Sequence, residues 1–244
     1  MNTPLSPVSG RLASLDILRG FDLFLLVFFQ PVFVALGQRL NFPWLNDILY
    51  QFDHESWIGF RFWDLVMPLF LFMTGASMPF SFSKFKNAPN KWHIYRKIIK
   101  RFVLLFIFGM IVQGNLLGLN PDSLYLYSNT LQSIAAGYLI TAVLFLYTSR
   151  RTQIGVAVAL LLVYWAAMQF ITVGSYGGGN YTPEGNLAEW IDRTVLGRFR
   201  DGAKVVDGEV VFAPWYHYTW ILSTLNFGVT VLTGLFAGYI AKDK

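Results

Sequence analysis

Asp53-His54-Glu55-Ser56-Trp57-Ile58-Gly59-Phe60-Arg61-Phe62-Trp63-Asp64-Leu65-Val66-Met67-Pro68 runs directly into Leu69-Phe70-Leu71-Phe72-Met73-Thr74-Gly75. A histidine, three carboxylates, an arginine and two tryptophans are crowded together, and the chain then turns almost wholly apolar. A polar site at a membrane surface has this character where a transmembrane helix enters the bilayer. His54 stands at its centre, and the rest of the chain is read outward from it.

Composition agrees with a membrane setting. Of 244 residues, 55% are hydrophobic and 18% aromatic, while only 14% are charged, where a soluble domain carries about 25%. Mean hydropathy is +0.46. The absence of cysteine excludes disulfides, a cysteine nucleophile and thiolate metal sites. A net charge of +5 on a soluble chain would suggest nucleic acid. Here the basic residues cluster in short loops between apolar runs, so membrane topology accounts for them and no nucleic acid is expected.

The fold expected is all-α: a polytopic transmembrane bundle of about six spans, near 17–37, 63–82, 102–119, 128–148, 154–173 and 216–240, each close to the roughly 20 residues that cross the hydrocarbon. The first apolar run contains Asp22 and has no small-residue cleavage pattern behind it, so it reads as a retained anchor. Asp16, Arg19 and Asp22, spaced by three, share one side of that helix. They form either a self-neutralised cluster or a ligand site centred on Arg19. Gln30 and Pro31 place a polar group and a kink further along. Residues 38–62 read as an amphipathic interfacial connection. Pro68 leaves the Asp64 carbonyl without its helical donor, and Gly75, Ala76 and Ser77 allow close helix approach. Residues 1–244 are read as a single transmembrane domain with a polar insert at 174–214, which carries a short helix near 186–196.

With the N-terminus cytoplasmic, 13 of the 19 Lys and Arg fall on cytoplasmic segments, the asymmetry that the positive-inside rule describes. His54 and the insert then share the outer, extracytoplasmic face.

Among residues that could carry chemistry, neutral imidazole takes a proton near physiological pH, and Asp53, Glu55 or Asp64 could fix the His54 tautomer. The plain alternative is an interfacial histidine bonded to headgroups. His93, in the basic loop, and His217, in Trp215-Tyr216-His217-Tyr218-Thr219-Trp220, read as headgroup-facing and as part of an aromatic belt. Three scattered histidines make a poor zinc site, so no metal is expected. Asn129 and Gln132, one turn apart, and Ser223, Thr224 and Asn226 either bond between helices or line a pocket. Gly177-Gly178-Gly179 lacks the Lys-Ser/Thr and strand-helix frame of a phosphate loop.

The order Arg11-Leu12-Ala13-Ser14-Leu15-Asp16-Ile17-Leu18-Arg19-Gly20-Phe21-Asp22, then His54-Glu55-Ser56-Trp57-Ile58-Gly59-Phe60 and Asp64-Leu65-Val66-Met67-Pro68, then Thr130-Leu131-Gln132-Ser133-Ile134-Ala135-Ala136-Gly137-Tyr138, and Leu222-Ser223-Thr224 before Gly234, resembles the heparan-alpha-glucosaminide N-acetyltransferase family, most closely its bacterial branch. The resemblance implies transfer of an acetyl group from acetyl-CoA to the amine of a terminal glucosamine or related amino sugar, with His54 essential. It also implies a multi-pass protein of the bacterial inner membrane. Family members often carry an asparagine late in the first span, where this chain offers Gln30, and usually continue for several helices beyond a span like the sixth, so the expectation is either the N-terminal part of a longer family fold or a shorter variant of it.

The site expected on this basis has His54, Asp64 and Gln30 as catalytic residues and Asp53, Glu55, Trp57 and Asn226 on the acceptor. Arg19, Lys100, Arg101, Asn129 and Gln132 would hold acetyl-CoA, entering from the cytoplasmic mouth of a crevice. Two other readings stay open: O-acylation of a glycan hydroxyl, and a non-catalytic transporter of a small anionic or sugar solute. Membrane lipid is an expected partner, and a homo-oligomeric state is left open.

Overall fold

The computed structural model describes residues 13–40, 42–86 and 89–243. Arg11, Lys244 and the side chains of Lys84 and Lys86, used above for motif and charge, lie outside the described residues. Helix α1 (Ala13–Phe24) passes through a π-helical turn (Leu25–Phe29) into α2 (Gln30–Leu40). The wide turn sits immediately before Gln30-Pro31, and the Gln30 amide bonds back to the Leu25 carbonyl. Proline cannot donate to the ladder and its ring crowds the preceding turn, so a π turn lets the helix continue where a kink was expected.

Helix α3 (Pro43–Tyr50) begins on a proline, whose missing amide has no helical partner in a first turn. A 3-10 turn (Phe62–Leu65) leads into α4 (Val66–Ala76) and then α5 (Met78–Lys86). Pro68 falls in the first turn of α4, where it costs no hydrogen bond. Helix α6 is Trp92–Val112, α7 is Thr130–Tyr147 and α8 is Arg150–Phe170. Asn129 caps α7 by accepting from the amides of Leu131 and Gln132, and Ser149 caps α8 by accepting from the Thr152 amide.

The polar insert begins with a hairpin, β1 (Thr172–Val173) and β2 (Tyr176–Gly177), followed by α9 (Leu187–Leu196). Asn186 caps α9 through the Glu189 amide, 2.9 Å away, so the expected insert helix is realised almost to the residue. A second hairpin, β3 (Ala203–Val206) with β4 (Glu209–Phe212), pairs Ala203 with Phe212. An extended strap follows, and α10 (Thr224–Asp243) completes the described chain.

Five helical segments among the described residues are long and apolar enough to cross a membrane: Ala13–Leu40, Phe62–Ser83, Thr130–Tyr147, Arg150–Phe170 and Thr224–Asp243. The span expected at 102–119 differs. Its helix, α6, starts ten residues earlier, among Arg96, Lys97, Lys100 and Arg101, and ends at Val112. Only residues 102–112 are free of charge there, about 16 Å of helix. Just past the stop the chain packs closely at Gly114, where a side chain would collide with the Tyr125 carbonyl and with Met110.

The core lies where α10 packs against α4 and α7, with Leu71, Tyr138, Val231, Leu232 and Leu235 all buried. Small residues let the backbones touch: a Cβ at Gly75 would overlap the Val231 carbonyl oxygen, and one at Gly234 the Phe72 carbonyl oxygen. Lipid is as apolar as leucine, so such close packing, rather than water exclusion, is what holds membrane helices together. At one end of the bundle Arg150 pairs with Asp243, and Lys242 donates to the Pro79 carbonyl at 2.8 Å. His54 and the insert occupy the other end.

Candidate functional site

The loop between α3 and α4 is built around Arg61. Its guanidinium stacks on the Tyr50 ring, 3.8 Å from the centroid. It also donates to both Glu55 oxygens, at 2.9 and 3.3 Å. Those bonds, with the Ser56 amide, hold the Glu55 carboxyl below the usual carboxylate range. The acceptor capacity of Glu55 is therefore taken up in shaping the loop. Asp53 remains exposed, its Oδ1 accepting from the His54 amide at 2.8 Å.

Within this frame His54 Nδ1 meets Asp64 Oδ1 at 2.8 Å. An ionised carboxylate only accepts, so the ring proton sits on Nδ1 and Nε2 carries the free lone pair. The second oxygen, Asp64 Oδ2, accepts from the Arg61 amide at 2.9 Å, which fixes the carboxylate at the start of the 3-10 turn. Of the three carboxylates near His54, Asp64 is the one that orients the ring.

His54 opens onto a mainly apolar cavity of about 430 Å³ between α1, α4, α6 and α7. Leu23, Leu26, Met67 and Phe70 form much of the wall, with Gln113 and Asn129 as polar partners. A concave, largely apolar space with a few convergent polar groups is the ordinary form of a small-molecule site. A second cavity, of about 600 Å³, lies between α2, α3 and the loop, lined by Gln30, Gln38, Asn46, Tyr50, Asp53 and Arg61 among others.

The expected site residues are thus distributed. Gln30 donates to the Phe52 carbonyl at 2.8 Å and, with Asp53, faces the second cavity rather than that of His54. Asn129 lines the His54 cavity while donating to the Gly109 carbonyl at 2.6 Å. Gln132 is fully buried, bonded to the Ser128 amide and the Leu126 carbonyl, so its amide serves the turn before α7. Asn226 sits in the first turn of α10, outside both cavity linings.

The basic residues separate too. Arg19 donates to the Met73 carbonyl at 3.2 Å and lies 4.0 Å from Asp16. Asp22 does not join them: it is 1% exposed, and neither of its carboxylate oxygens has a hydrogen-bond partner among the described residues. Arg101 lies over the Tyr138 ring at 4.5 Å and lines a small cavity of about 90 Å³ with Ser77, Ser81 and Lys97. Lys100 faces a different groove, with Trp92 and Arg96. Among the described residues no three His, Cys, Asp or Glu side chains converge on a metal position.

Three residues around His54 escaped the sequence reading. Tyr218 stands edge-on to the His54 ring, with centroids 6.3 Å apart. Burial, and then the negative charges of Asp64 and Asp53, push its hydroxyl up and keep it neutral. His217 stands edge-on to Trp57 at 6.3 Å, and the Trp57 indole donates to the Tyr181 carbonyl at 2.8 Å. The aromatic run at 215–220 was the available signal, and it reads equally well as a membrane belt.

Known proteins are similar to this chain in sequence. Residues 11–180 fit the family model described as heparan-alpha-glucosaminide N-acetyltransferase, catalytic. The chain is 26% identical over 278 residues to the Homo sapiens heparan-alpha-glucosaminide N-acetyltransferase, an alignment covering 97% of this chain and 39% of that protein. The Mus musculus protein of the same name is 29% identical over 140 residues, covering 56% of this chain and 19% of that protein. The chain therefore spans well under half the length of either relative. The family match takes in α1, the His54 loop, the Asp64 turn and the cap of α7, and on that basis this integral membrane chain belongs to the heparan-alpha-glucosaminide N-acetyltransferase catalytic family.

Proposed function

We propose that the chain catalyses acetyl transfer from acetyl-CoA to the amine of a glucosamine or related amino sugar, with His54 as the reacting base. The observation that carries this reading is the His54–Asp64 pair, 2.8 Å apart, with His54 lining a cavity of about 430 Å³ that can take an acyl thioester arm. Asp64 holds the ring and stabilises the imidazolium that forms when Nε2 accepts a proton. In direct transfer the amine nitrogen bonds to the thioester carbonyl carbon and gives its proton to Nε2. The C–S bond then breaks and the thiolate leaves with that proton. In the two-step alternative Nε2 attacks the thioester carbonyl carbon and the C–S bond breaks to release the thiolate; the amine then attacks the acetyl carbonyl carbon, the bond to Nε2 breaks, and the amine's proton goes to the thiolate.

The charge asymmetry supports acetyl-CoA entering from the basic, cytoplasmic end, which in a bacterium is the inner face of the inner membrane. Arg19 meets α4 at Met73, nine residues beyond Asp64 and about 13 Å along the helix. Arg19 and Arg101 are the phosphate partners in this reading, with Lys100 one groove away.

The test uses labelled acetyl-CoA and glucosamine with purified protein. His54→Ala should abolish transfer, and Asp64→Asn should lower it about 10²- to 10³-fold, both with unchanged thermal unfolding. Full activity in folded His54→Ala ends the assignment. Trapping acetyl-His54 in the absence of acceptor selects the two-step route. A hydroxyl-bearing glycan as sole productive acceptor would redirect the reading to O-acylation, and uptake of unchanged sugar into vesicles would redirect it to transport.

A further inference from the structure

The strap between β4 and α10 is fixed in an unusual way for a loop. Asp192 of α9 accepts from the amides of Trp220 and Ile221, at 2.7 and 3.0 Å. Arg200, fully buried, donates to the Tyr216 carbonyl at 3.2 Å and pairs with the buried Glu189. The Trp220 indole donates to the Tyr216 hydroxyl at 2.9 Å. Tyr216 and Trp220 are both buried, and between these two anchors the strap presents His217 and Tyr218.

Those two neighbours meet two residues of the His54 loop, ring to ring: Tyr218 with His54 and His217 with Trp57. Trp57 is also tied to the insert through the Tyr181 carbonyl. Although held, the rings are not covered: Trp57 is 38% and Tyr218 52% exposed. Beside them Asp53 has a side chain 79% exposed, its Oδ2 lying 3.7 Å from the Arg61 guanidinium and its Oδ1 accepting from the His54 amide. Rigid aromatic faces, next to a solvent-exposed carboxylate, match the chemistry of an amino-sugar ring. Its axial C–H face packs on an aromatic surface, its hydroxyls bond at the ring edges, and its ammonium seeks a carboxylate.

We infer that Trp57 and Tyr218, braced by the insert, form the acceptor subsite for a pyranose amino sugar, delivering its amine to His54 Nε2. The inference rests on the acetyl-transfer reading and adds to it the residues that choose the acceptor. Tyr181, His217 and Tyr218 lie beyond residues 11–180 of the family match, and the insert and strap supply this half of the subsite.

The experiment compares two acceptors, glucosamine and the ring-free primary amine ethanolamine, in wild type, Trp57→Leu and Tyr218→Leu, with Trp57→Phe and Tyr218→Phe as conservative controls. The ratio of kcat/KM for glucosamine to that for ethanolamine should fall about tenfold in each Leu variant through the glucosamine KM, and recover in the Phe variants. An unchanged ratio, or an equal rise in the acetyl-CoA KM, overturns the subsite. Glucosamine binding without acetyl-CoA, followed by calorimetry, separates this inference from the one beneath it. Wild-type binding that weakens about tenfold in Tyr218→Leu, with no acetyl transfer by any form, removes the transferase reading and leaves the subsite standing. Transfer to glucosamine that Tyr218→Leu and Trp57→Leu leave intact removes the subsite and leaves the transferase.

Discussion

Helices α4 and α10 on one side, and the α1–α2 rod on the other, hold the two walls of the His54 cavity by opposite means. The first pair touches backbone to backbone at Gly75, Gly234 and Gly238, and half of the most apolar window of the span containing α4 is buried in protein. In the α1–α2 rod that share is 17%. It meets the rest of the bundle through a few points: the Arg19 bond to Met73, Leu25 against Trp63 and Val66, and the Gln30 bond to Phe52. The difference teaches where precision is needed. Asp64 and His54 hang on the rigid pair, whereas Leu23 and Leu26, which only bound the cavity, ride on the lightly held rod.

The comparison breaks first at the glycines. Gly75→Leu or Gly234→Leu drives a side chain into a facing carbonyl, so destabilisation should exceed the roughly 3 kcal/mol of ordinary overpacking, and the protein should lose its single peak on size exclusion. A monodisperse variant with an unchanged unfolding midpoint would show that α4 and α10 are not locked. Next in size is Glu189→Gln, which leaves Arg200 buried beside a neutral amide. Removing one partner of a buried pair costs about 3–5 kcal/mol, seen as a lowered thermal midpoint. An effect within error would mean that the strap is held by other contacts.

Asp192 sharpens the same point through pH. Burial, the largest influence, pushes its carboxyl up to about 6 despite the two amides that favour the charged form. The folded state therefore binds this proton more tightly than the unfolded state, and the contribution of Asp192 to stability falls as pH rises from about 4 to about 6. The midpoint difference between wild type and Asp192→Asn should be larger at pH 4.5 than at pH 7, and a pH-independent difference would refute it. Smallest is Gln30→Ala on the light side: one hydrogen bond to Phe52 is lost, about 1 kcal/mol, with little loss of transfer. A large loss of transfer with unchanged stability would instead put Gln30 into the chemistry.

The parts legible in the sequence were those whose signal is local. The short helix near 186–196 could be read within a few residues, as could the apolar runs that became spans. What escaped depends on distant pairing or on small changes of phase. No local pattern could bring Tyr218 to His54, 164 positions away. The π turn at Leu25–Phe29 adds a residue to one turn, a change of phase that regular helical spacing does not contain. Helix α6 absorbs the basic run that had been read as loop, because long Lys and Arg stems can extend from a helix end toward water.

Helix α10 joins the strap at one end to Lys242 and Asp243 at the other, a rod of 20 residues and about 30 Å. Its far end is pinned to Pro79 and Arg150, and its near end is separated from the strap only by the turn at 221–223. A displacement of Tyr218 must be absorbed in that turn or be carried along the rod to the opposite face. The strap is thereby linked through α10 to the opposite end of the bundle, and the short turn at 221–223 sets how much of any movement reaches the pair locked at Gly75 and Gly234.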